Sequence, residues 1–426
     1  MVPADPGAAH DSCAKGDGLA DRCGVRGRPT YADRIFQHRV DLRPDGSFRL
    51  NMKCFGFLHE LQMTNRTFDD LFDGPPRTPE SAITQREMDL ARSIQVATEE
   101  VMLRMARAAR SQTNEENLCL AGGVALNCVA NGAIARSKIF RNIWLHPGAG
   151  DAGGALGAAM FAWHQVVNQP RNCDSDGDAM RGAYLGPEFS DEQIQKFLEA
   201  NGYPSRGFDA VAWAEEIASL LSQGRVVGLF QGAMEYGPRA LGNRSILADA
   251  RNPKMQSHLN LATKFRESSR LFAPAILEER AADWFELNAP SPYMLMVAGL
   301  RADKRVPSPQ DVANLQLEQW GNHLRSVVPA ITHVDYSARV QTVSRQTNPQ
   351  FHAILTAFER KTGCPLLVNT SFNVRSEPIV CTPAQAYQCF MRTGIDVVAL
   401  NRFLLYKNEQ PRWEENTNWQ QEFGLD

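Results

Sequence analysis

The chain has 426 residues, of which 43% are hydrophobic and 22% charged. This composition is typical of a globular protein with two or three domains. A formal net charge of −3 gives no electrostatic reason to expect nucleic acid or an anionic membrane as a partner. The start has no basic region followed by an apolar core, and no apolar stretch is long enough for a bilayer. We therefore expect a cytoplasmic protein that acts on small molecules.

Nine cysteines include no CxxC pair and no spacing typical of a zinc site. Their odd number and scattered positions favour reduced thiols, several of them buried as small apolar residues.

The first third of the chain begins with an irregular segment and continues with a long helix. Residues 1–29 are rich in Gly, Asp, Ala and Pro and lack apolar periodicity, so we expect disorder or a non-native start. Thr84-Gln-Arg-Glu87 has the form of a capping box and predicts a helix start. The apolar face of that helix contains Leu90, Ile94, Ala97, Val101 and Met105. We expect this face to pack beside a sheet.

Two glycine-rich segments follow, Gly122–Asn127 and Gly150–Gly157. Each comes after a short apolar run and leads into an Ala-rich stretch, so each predicts a strand, a turn and a helix. Backbone N–H groups at such a helix start can bind an anion, and glycine lets a ligand approach closely. Asp151 could hold a metal ion or a ligand hydroxyl. Two ordinary glycine-rich turns are the alternative, because single motifs of this kind are weak.

A polar run at 168–177 has the composition of a domain boundary. We predict a first domain at 30–170, a linker at 171–181 and a second domain at 182–426. In the second domain, apolar periodicity and turn residues predict an α/β fold. Its predicted elements are a helix that ends at Gly224, strands at 225–230, 365–368 and 395–398, a helix at 351–361 and a helix after Pro383.

The loops of this second domain concentrate charge. The loop at 231–245 contains Glu235, Arg239, Asn243 and Arg244. Further along come Lys264, Arg266, Arg270 and Arg339, and then the run from Asn369 through Ser371 to Arg375. Guanidinium and ammonium groups suit phosphate oxygens and a carbonyl that acquires negative charge. For any one arginine, a solvated charge or a structural ion pair is the alternative.

In their order along the chain and in their residues, these segments resemble the carbamoyltransferase family, which includes the nodulation protein NodU and enzymes that carbamoylate antibiotics. The resemblance runs from about residue 30 to about residue 405. It implies the second half of a transfer domain of the actin-like, sugar-kinase superfamily (ASKHA) at 30–170. It also implies a YrdC-like α/β domain at 182–426.

The resemblance implies a two-step reaction. The YrdC-like domain condenses carbamoyl phosphate with ATP, releases pyrophosphate and leaves carbamoyl adenylate. The implied catalytic residues, which would bind carbamoyl phosphate or the adenylate, are Lys264, Arg266, Arg270 and Arg375. The residues implied to complete the pocket are Arg239, Arg244, Arg339, Asn369 and Ser371. Such a pocket would align the carbamoyl group for in-line attack at the α-phosphorus.

The transfer domain then moves the carbamoyl group to a hydroxyl of a small-molecule acceptor. The resemblance implies that Gly122, Gly123, Asn127 and Asn131 touch the nucleotide, with magnesium accompanying ATP. It also implies that Asp151 is one ligand of an iron centre whose other ligands come from an HxxxH motif. No two of the nine histidines are four residues apart, so no helix turn presents such a pair. We expect an incomplete iron site, because a lone carboxylate holds such a metal poorly.

Family members carry a long segment upstream of the part matched here, so we expect that this chain lacks the first lobe of the transfer domain. The surface that this lobe would cover favours homo-oligomers or a partner that supplies the missing lobe. The family has glycine where this chain has Ser376, and a positive φ there would strain the backbone. The sequence does not identify the acceptor.

Two alternatives remain open. One is a non-catalytic remnant that binds a nucleotide or a partner, although the presence of nearly every charged pocket residue counts against it. The other is a kinase or ATPase of the actin-like superfamily, or a relative of the tRNA threonylcarbamoyl synthases. The acidic balance of the chain counts against tRNA as a partner.

Overall fold

A computed structural model of the chain describes residues 27–78, 81, 83–172, 178–266, 270–307 and 324–413. The chain divides into two compact units, with the main division after His146. Because compactness and family resemblance are different criteria, the predicted domain boundaries at 170 and 182 stay predictions. Most of the leader predicted at 1–29 and part of the linker predicted at 171–181 lie outside the described residues.

The first unit contains two small sheets and four α-helices among the described residues. The helices are α1 (Ala32–His38), α2 (Arg66–Leu71), α3 (Gln85–Thr113) and α4 (Cys128–Ser137). The strands are β1 (Val40–Leu42), β2 (Phe48–Leu50), β3 (Asn117–Leu120) and β4 (Asn142–Leu145). β1 and β2 form an antiparallel hairpin, and β3 and β4 form a parallel pair. The first predicted strand–turn–helix is confirmed by β3 and α4.

Helix α3 begins at the predicted capping box. The backbone N–H of Thr84 donates to a carboxylate oxygen of Glu87 at 2.8 Å, which satisfies a donor at the helix start. The expected packing beside a sheet is confirmed, since Ala106 of α3 clusters with Leu118 and Leu120 of β3. The predicted apolar face is only partly covered, because Ile94 and Met105 stay 38% and 50% exposed.

The second unit contains nine strands in one sheet, in the order β5-β13-β12-β6-β7-β11-β8-β10-β9. The strands are β5 (Arg206–Gly207), β6 (Val227–Phe230), β7 (Arg244–Ala248), β8 (Ala273–Leu277), β9 (Met296–Gly299), β10 (Ser337–Val343), β11 (Leu366–Ser371), β12 (Val397–Leu400) and β13 (Phe403–Tyr406). The helices are α5 (Asp151–Phe161), α6 (Asp191–Asn201), α7 (Ala210–Ser222), α8 (Met255–His258), α9 (Ala281–Trp284), α10 (Pro349–Thr362) and α11 (Pro383–Arg392). The second strand–turn–helix is confirmed by β4 and α5, and the predicted mixture of helices and strands is confirmed here.

The buried core of the second unit accounts for the apolar patterns in its sequence. Helix α7 buries Trp213 and Ile217 on one face, and helix α10 buries Phe351 and Phe358. Strands β6, β7 and β8 are buried along their whole length, and strands covered on both faces read as continuous apolar runs. Period and run length correctly predicted α7, α10 and β6, whereas β7, which begins with Arg244 and Ser245, and β8 were not predicted.

The strand directions gather the charged loops at one edge of the sheet. β7 is antiparallel to β6 and β11, β8 is antiparallel to β11, and β10 is parallel to β8. The end of β6, the start of β7, the end of β11 and the starts of β8 and β10 therefore lie together. Most of the predicted cations of the second domain lie in the loops at these strand ends or within two residues of them.

No helix among the described residues is long and apolar enough to cross a bilayer. The six cysteines within the described ranges are free, and four of them are buried, in agreement with the prediction of reduced thiols.

The Gly242→Ala substitution should strongly destabilise the second unit. Gly242 has φ +112°, and a Cβ there would overlap the ring of Phe351. Backbone strain and overpacking together should lower the free energy of unfolding by about 2–5 kcal/mol, measured by urea denaturation. Gly207→Ala is the matched control, because its Cβ would meet only the Phe403 ring at 3.6 Å. Equal stability of the two variants would contradict this close packing.

Candidate functional site

The centre of the candidate site is the ammonium group of Lys264, which is 3% exposed. Its Nζ donates to the side-chain and backbone oxygens of Asn373 at 2.7 and 2.9 Å. It also contacts the backbone oxygen of Ser371, and the hydroxyl oxygen of Ser371 at 3.3 Å. Lys264 therefore fastens the end of β11 to the loop after α8.

Two guanidinium groups stand near this ammonium. Burial lowers the pKa of Lys264 well below its usual value, and the charges of Arg266 and Arg270 lower it further, while Glu377 opposes them. Asn260 positions both arginines: its Oδ1 accepts from Nε of Arg266 at 2.8 Å, and its Nδ2 donates to the backbone oxygen of Arg270 at 2.7 Å. An anion bound beside these groups would favour their charged forms.

Polar side chains on one face of the sheet continue the site. Asn369 donates through Nδ2 to Gln341 Oε1 at 2.7 Å and to the backbone oxygen of Ala240 at 3.1 Å. Gln341 in turn donates to the backbone oxygen of Leu241 at 2.8 Å. The Oδ1 of Asn369 is buried and has no hydrogen-bond partner among the described residues. Ser371 lies two residues further along β11 and therefore shares the face of Asn369.

The loop between β6 and β7 is folded around the carboxylate of Glu235, which is 5% exposed. Its Oε1 accepts from the backbone N–H groups of Leu241 and Asn243 at 2.7 Å each, and of Arg244 at 3.1 Å. Its Oε2 is buried and has no hydrogen-bond partner within the described ranges. One carboxylate oxygen thus satisfies three donors of a loop that has no regular structure.

The side chain of Arg244 makes contacts within the protein that the sequence did not predict. Its side chain is fully buried, with Nη1 donating to the backbone oxygen of Gln231 at 2.7 Å and Nη2 to that of Pro187 at 2.9 Å. The guanidinium lies 3.7 Å from the centre of the Phe230 ring, and burial lowers its pKa to about 10. These contacts hold the loop in place; direct contact of Arg244 with a ligand stays a prediction.

The remaining predicted cations belong to the same sheet edge. Arg239 is buried in the β6–β7 loop, and Arg339 and Arg375 are half-buried. Arg339 lies two residues before Gln341 on β10, so both side chains project from one face of the strand. The structure therefore brings the predicted residues of the second unit to one region, and their contacts with substrate stay a prediction.

Ser376 has φ +61°. This is the positive φ on which the prediction of strain depended, and that prediction is confirmed, because an L-residue in this conformation carries a steric cost. Phe265, next to Lys264, has φ +49°. Phe265 follows Lys264 in the chain and Ser376 follows Arg375, and such strain is common at functional sites.

In the first unit, the glycine turn after β3 is open on one side. Gly122 has φ +92°, which glycine adopts readily. A Cβ placed at Gly122 or Gly123 would meet no atom of the described residues within 4 Å. The turn therefore leaves room for a ligand to approach the backbone.

The two asparagines of this turn make structural contacts. Asn127 accepts from the backbone N–H of Ala130 at 3.0 Å, which caps α4, and its amide exchanges hydrogen bonds with Gln95 of α3 at 3.0 and 3.2 Å. Asn131 is fully buried and donates to the backbone oxygen of Ala125 at 2.8 Å. Both amides hold the turn against the helices, and their contact with a nucleotide stays a prediction.

Asp151, the predicted iron ligand, is the first residue of α5 in the second unit, and its side chain is exposed. Within the described ranges, no group of three or more His, Cys, Asp or Glu side chains could hold a metal ion. Because a lone carboxylate binds transition metals weakly, the described residues do not fit an iron centre. No chemical step through iron is assigned to them.

Sequence reasoning missed three amides of the site: Asn260, Gln341 and Asn373. Asn373 lies inside the run from Asn369 to Arg375 and could have been found there. Asn260 and Gln341 carry no local signal, because one lies in a short helical turn and the other in a buried strand. Only the packing of the loops shows what they contact.

Comparison with known proteins identifies the class of protein to which the chain belongs. Residues 22–160 match the profile described as Carbamoyltransferase N-terminus, and residues 218–407 match the profile described as Carbamoyltransferase C-terminus. The chain belongs to the carbamoyltransferase family, as the sequence analysis predicted. The first match begins a few residues before the predicted boundary at residue 30.

Individual relatives agree with this assignment. An uncharacterized protein of the cyanobacterium Synechocystis is 52% identical over 94% of this chain and 65% of its own length. Nodulation protein NolO of Bradyrhizobium diazoefficiens is 36% identical over 92% of this chain and 67% of its own length. Nodulation protein U of Rhizobium fredii is 37% identical over 60% of this chain and 38% of its own length. The chain thus spans about two thirds or less of the relatives that it matches.

The Glu235→Ala substitution should unfold the β6–β7 loop. Three buried backbone N–H groups would lose their acceptor, at a cost of about 3 kcal/mol or more in the free energy of unfolding. Urea denaturation measures this loss. Glu235→Gln keeps an oxygen acceptor at the same point and should lose clearly less stability. If the two variants are equally stable, the carboxylate oxygen does not organise the loop.

The Ser376→Gly substitution should stabilise the protein slightly. Glycine removes a steric cost of about 1–2 kcal/mol but restores backbone entropy to the unfolded chain, which leaves a gain of about 0.5–1 kcal/mol. Thermal denaturation compares this variant with Ser376→Ala, which removes the hydroxyl and keeps the strain. A loss of stability in Ser376→Gly would show that this left-handed conformation is not costly.

Proposed function

We propose that the second unit joins a carbamoyl group to AMP and that the activated group is then transferred to a hydroxyl of a small-molecule acceptor. The family membership supports a transferase. The observation that carries the first step is the cluster of Lys264, Arg266 and Arg270, in which Asn260 is hydrogen-bonded to both arginines and Lys264 to Asn373. Guanidinium and ammonium groups held together in this way suit phosphate oxygens.

The substrates proposed for this step are carbamoyl phosphate and ATP. The adenylate contains only the α-phosphorus of ATP, so the phosphorus of carbamoyl phosphate must leave as orthophosphate, with one water consumed. A carbamate oxygen then attacks the α-phosphorus and pyrophosphate departs. The products are therefore carbamoyl adenylate, orthophosphate and pyrophosphate, in equal amounts.

The described contacts suggest different roles for the cations. Lys264 already contacts four oxygens, so it would position the loop at 371–375 and add positive charge. Arg266, Arg270 and Arg375 are half-buried and would bind phosphate oxygens, because planar guanidinium groups suit them. Arg239, Arg339, Asn369 and Ser371 would complete the pocket. The buried Oδ1 of Asn369, which has no partner among the described residues, could accept from the carbamoyl amide.

We further propose that residues 182–426 form a YrdC-like domain and that residues 30–170 are part of an ASKHA-type transfer domain in the cytoplasm. The open glycine turn at Gly122 and Gly123 would receive the nucleotide, since glycine there leaves the backbone accessible. Relatives named as nodulation proteins make an oligosaccharide hydroxyl one candidate acceptor. Antibiotic precursors are equally compatible with the site.

The first step is tested by measuring pyrophosphate release from ATP with and without carbamoyl phosphate. We expect release that depends on carbamoyl phosphate and falls on the order of a hundredfold in Arg375→Ala and Lys264→Ala, because aligned cations stabilise the developing charge. Lys254→Ala is the matched control, since Lys254 is exposed. Circular dichroism establishes that each variant is folded.

Orthophosphate measured in the same reactions checks the stoichiometry. Equal yields of orthophosphate and pyrophosphate support the proposed step. Orthophosphate without pyrophosphate would indicate simple hydrolysis and would contradict adenylate formation. No release of either product by folded protein would favour the nucleotide-binding remnant instead.

A further inference from the structure

Two side-chain amides of the second unit meet across its nine-stranded sheet. Strand β8 lies between β11 and β10. Its Ala273 pairs with Asn369 of β11, and its Ala275 pairs with Gln341 of β10. Paired residues project from the same face of a sheet. Because both β8 residues are alanines, Asn369 can reach over β8, and its Nδ2 donates to Oε1 of Gln341 at 2.7 Å.

Backbone carbonyl groups fix the orientation of both amides. The Nε2 of Gln341 donates to the backbone oxygen of Leu241 at 2.8 Å. A carbonyl oxygen can only accept, so the NH₂ group of Gln341 faces Leu241 and its Oε1 is left to face Asn369. The Nδ2 of Asn369 also donates to the backbone oxygen of Ala240 at 3.1 Å. Both amide hydrogens of Asn369 are thus used inside the protein.

The other end of the Asn369 amide is a buried acceptor. Asn369 is 1% exposed, and its Oδ1 has no hydrogen-bond partner among the described residues. Buried polar atoms of native proteins are nearly always paired. An amide pair that served only to tie the strands together would explain the bonds of Nδ2 and Nε2, but it would not explain this oxygen. The unpaired oxygen indicates a donor that a ligand supplies.

This acceptor lies close to the cluster of cations. Ser371 shares the face of Asn369 and stands two residues further along β11, which is about 7 Å on a strand. The hydroxyl oxygen of Ser371 lies 3.3 Å from Nζ of Lys264. One small acyl phosphate can therefore contact the cations with its phosphate group and Asn369 with its acyl group.

We propose that Gln341 is a positioning residue that makes the site selective for an acyl phosphate with an amide group. It holds Asn369 so that Oδ1 accepts a hydrogen bond from the amide N–H of carbamoyl phosphate. Acetyl phosphate has nearly the same shape but a methyl group in that place, so it leaves the acceptor unpaired and is rejected. This inference rests on the proposed function, because it takes the cluster of cations as the acyl phosphate site.

Selectivity separates this role from a structural one. Loss of a structural hydrogen bond lowers stability and weakens both ligands alike. Loss of a positioned acceptor changes the ratio of two affinities, since only the ligand with the amide uses that acceptor. The measurement must therefore compare two ligands that differ only in this group.

The test compares two stable analogues in which a methylene group replaces the bridging oxygen. Phosphonoacetamide carries the amide of carbamoyl phosphate, and acetonylphosphonate carries the methyl group of acetyl phosphate. Isothermal titration calorimetry measures the binding of each to the full chain. We expect the wild-type protein to bind phosphonoacetamide about tenfold or more tightly, because acetonylphosphonate leaves a buried acceptor unpaired.

The Gln341→Met variant has a side chain of similar length that makes neither hydrogen bond, and its preference should fall to about threefold or less. Gln341→Glu keeps an oxygen that accepts from Asn369, so it should retain the preference although it loses the donor to Leu241. Gln346→Met is the matched control, because Gln346 is exposed after the end of β10; it should behave as the wild type. Urea denaturation shows whether each variant is folded. If Gln341→Met does not fold, Asn369→Ala replaces it and should bind both analogues equally.

Two results would overturn the inference. One is equal binding of the two analogues by the wild-type protein. The other is an unchanged preference in folded Gln341→Met or Asn369→Ala, because the selectivity would then come from another group.

Pyrophosphate release, measured separately, distinguishes failure of this inference from failure of the proposed function. Release that depends on carbamoyl phosphate, together with equal binding of the analogues, would support the proposed function and contradict the role of Gln341. A preference that depends on Gln341, without pyrophosphate release, would support the role of Gln341 in binding and contradict adenylate formation. No binding of either analogue by folded wild-type protein would contradict both.

Discussion

The geometry of the candidate site depends on one buried ammonium group. Lys264 binds the backbone and side-chain oxygens of Ser371 and Asn373, and so ties the loop after α8 to the end of β11. A buried cation is stable only when oxygens surround it. The same contacts fix the spacing between Lys264, Arg266 and the run that leads to Arg375, and thus define where an anion can be bound.

A second buried charge organises the neighbouring loop. Glu235 gathers three backbone N–H groups on one oxygen, while Arg244 binds the carbonyl groups of the same loop and packs on Phe230. Neither residue needs a ligand to explain its burial. Glu235 and Arg244 therefore shape this sheet edge, and contact of the half-buried arginines with substrate stays a prediction.

The two units differ in how completely their own residues cover their apolar surfaces. The nine-stranded sheet of the second unit buries its central strands on both faces. The parallel pair in the first unit leaves an apolar groove along β3, with Arg39 inside it. Parallel sheets are normally packed against on both faces, whereas antiparallel sheets can leave one face in solvent. Membership of the carbamoyltransferase family applies to the chain as a whole. The two units nevertheless differ in the burial of their apolar surfaces, so ligand binding is best measured for each of them separately.

The sequence by itself determined the long helix α3 with its capping box, the two strand–turn–helix segments, the α/β character of the second unit and the family. Helix period, apolar runs and glycine turns are local signals and were sufficient for the predicted helices and strands, whereas the family followed from the resemblance of the motifs to known members. It also located the charged loops, but not what each charge does. Tertiary structure alone decided that Lys264 is clamped by Asn373, that Arg244 serves its own loop and that Ile94 and Met105 stay exposed. These outcomes depend on strand order and loop packing, which bring together residues up to about a hundred positions apart and leave no periodic trace in the sequence.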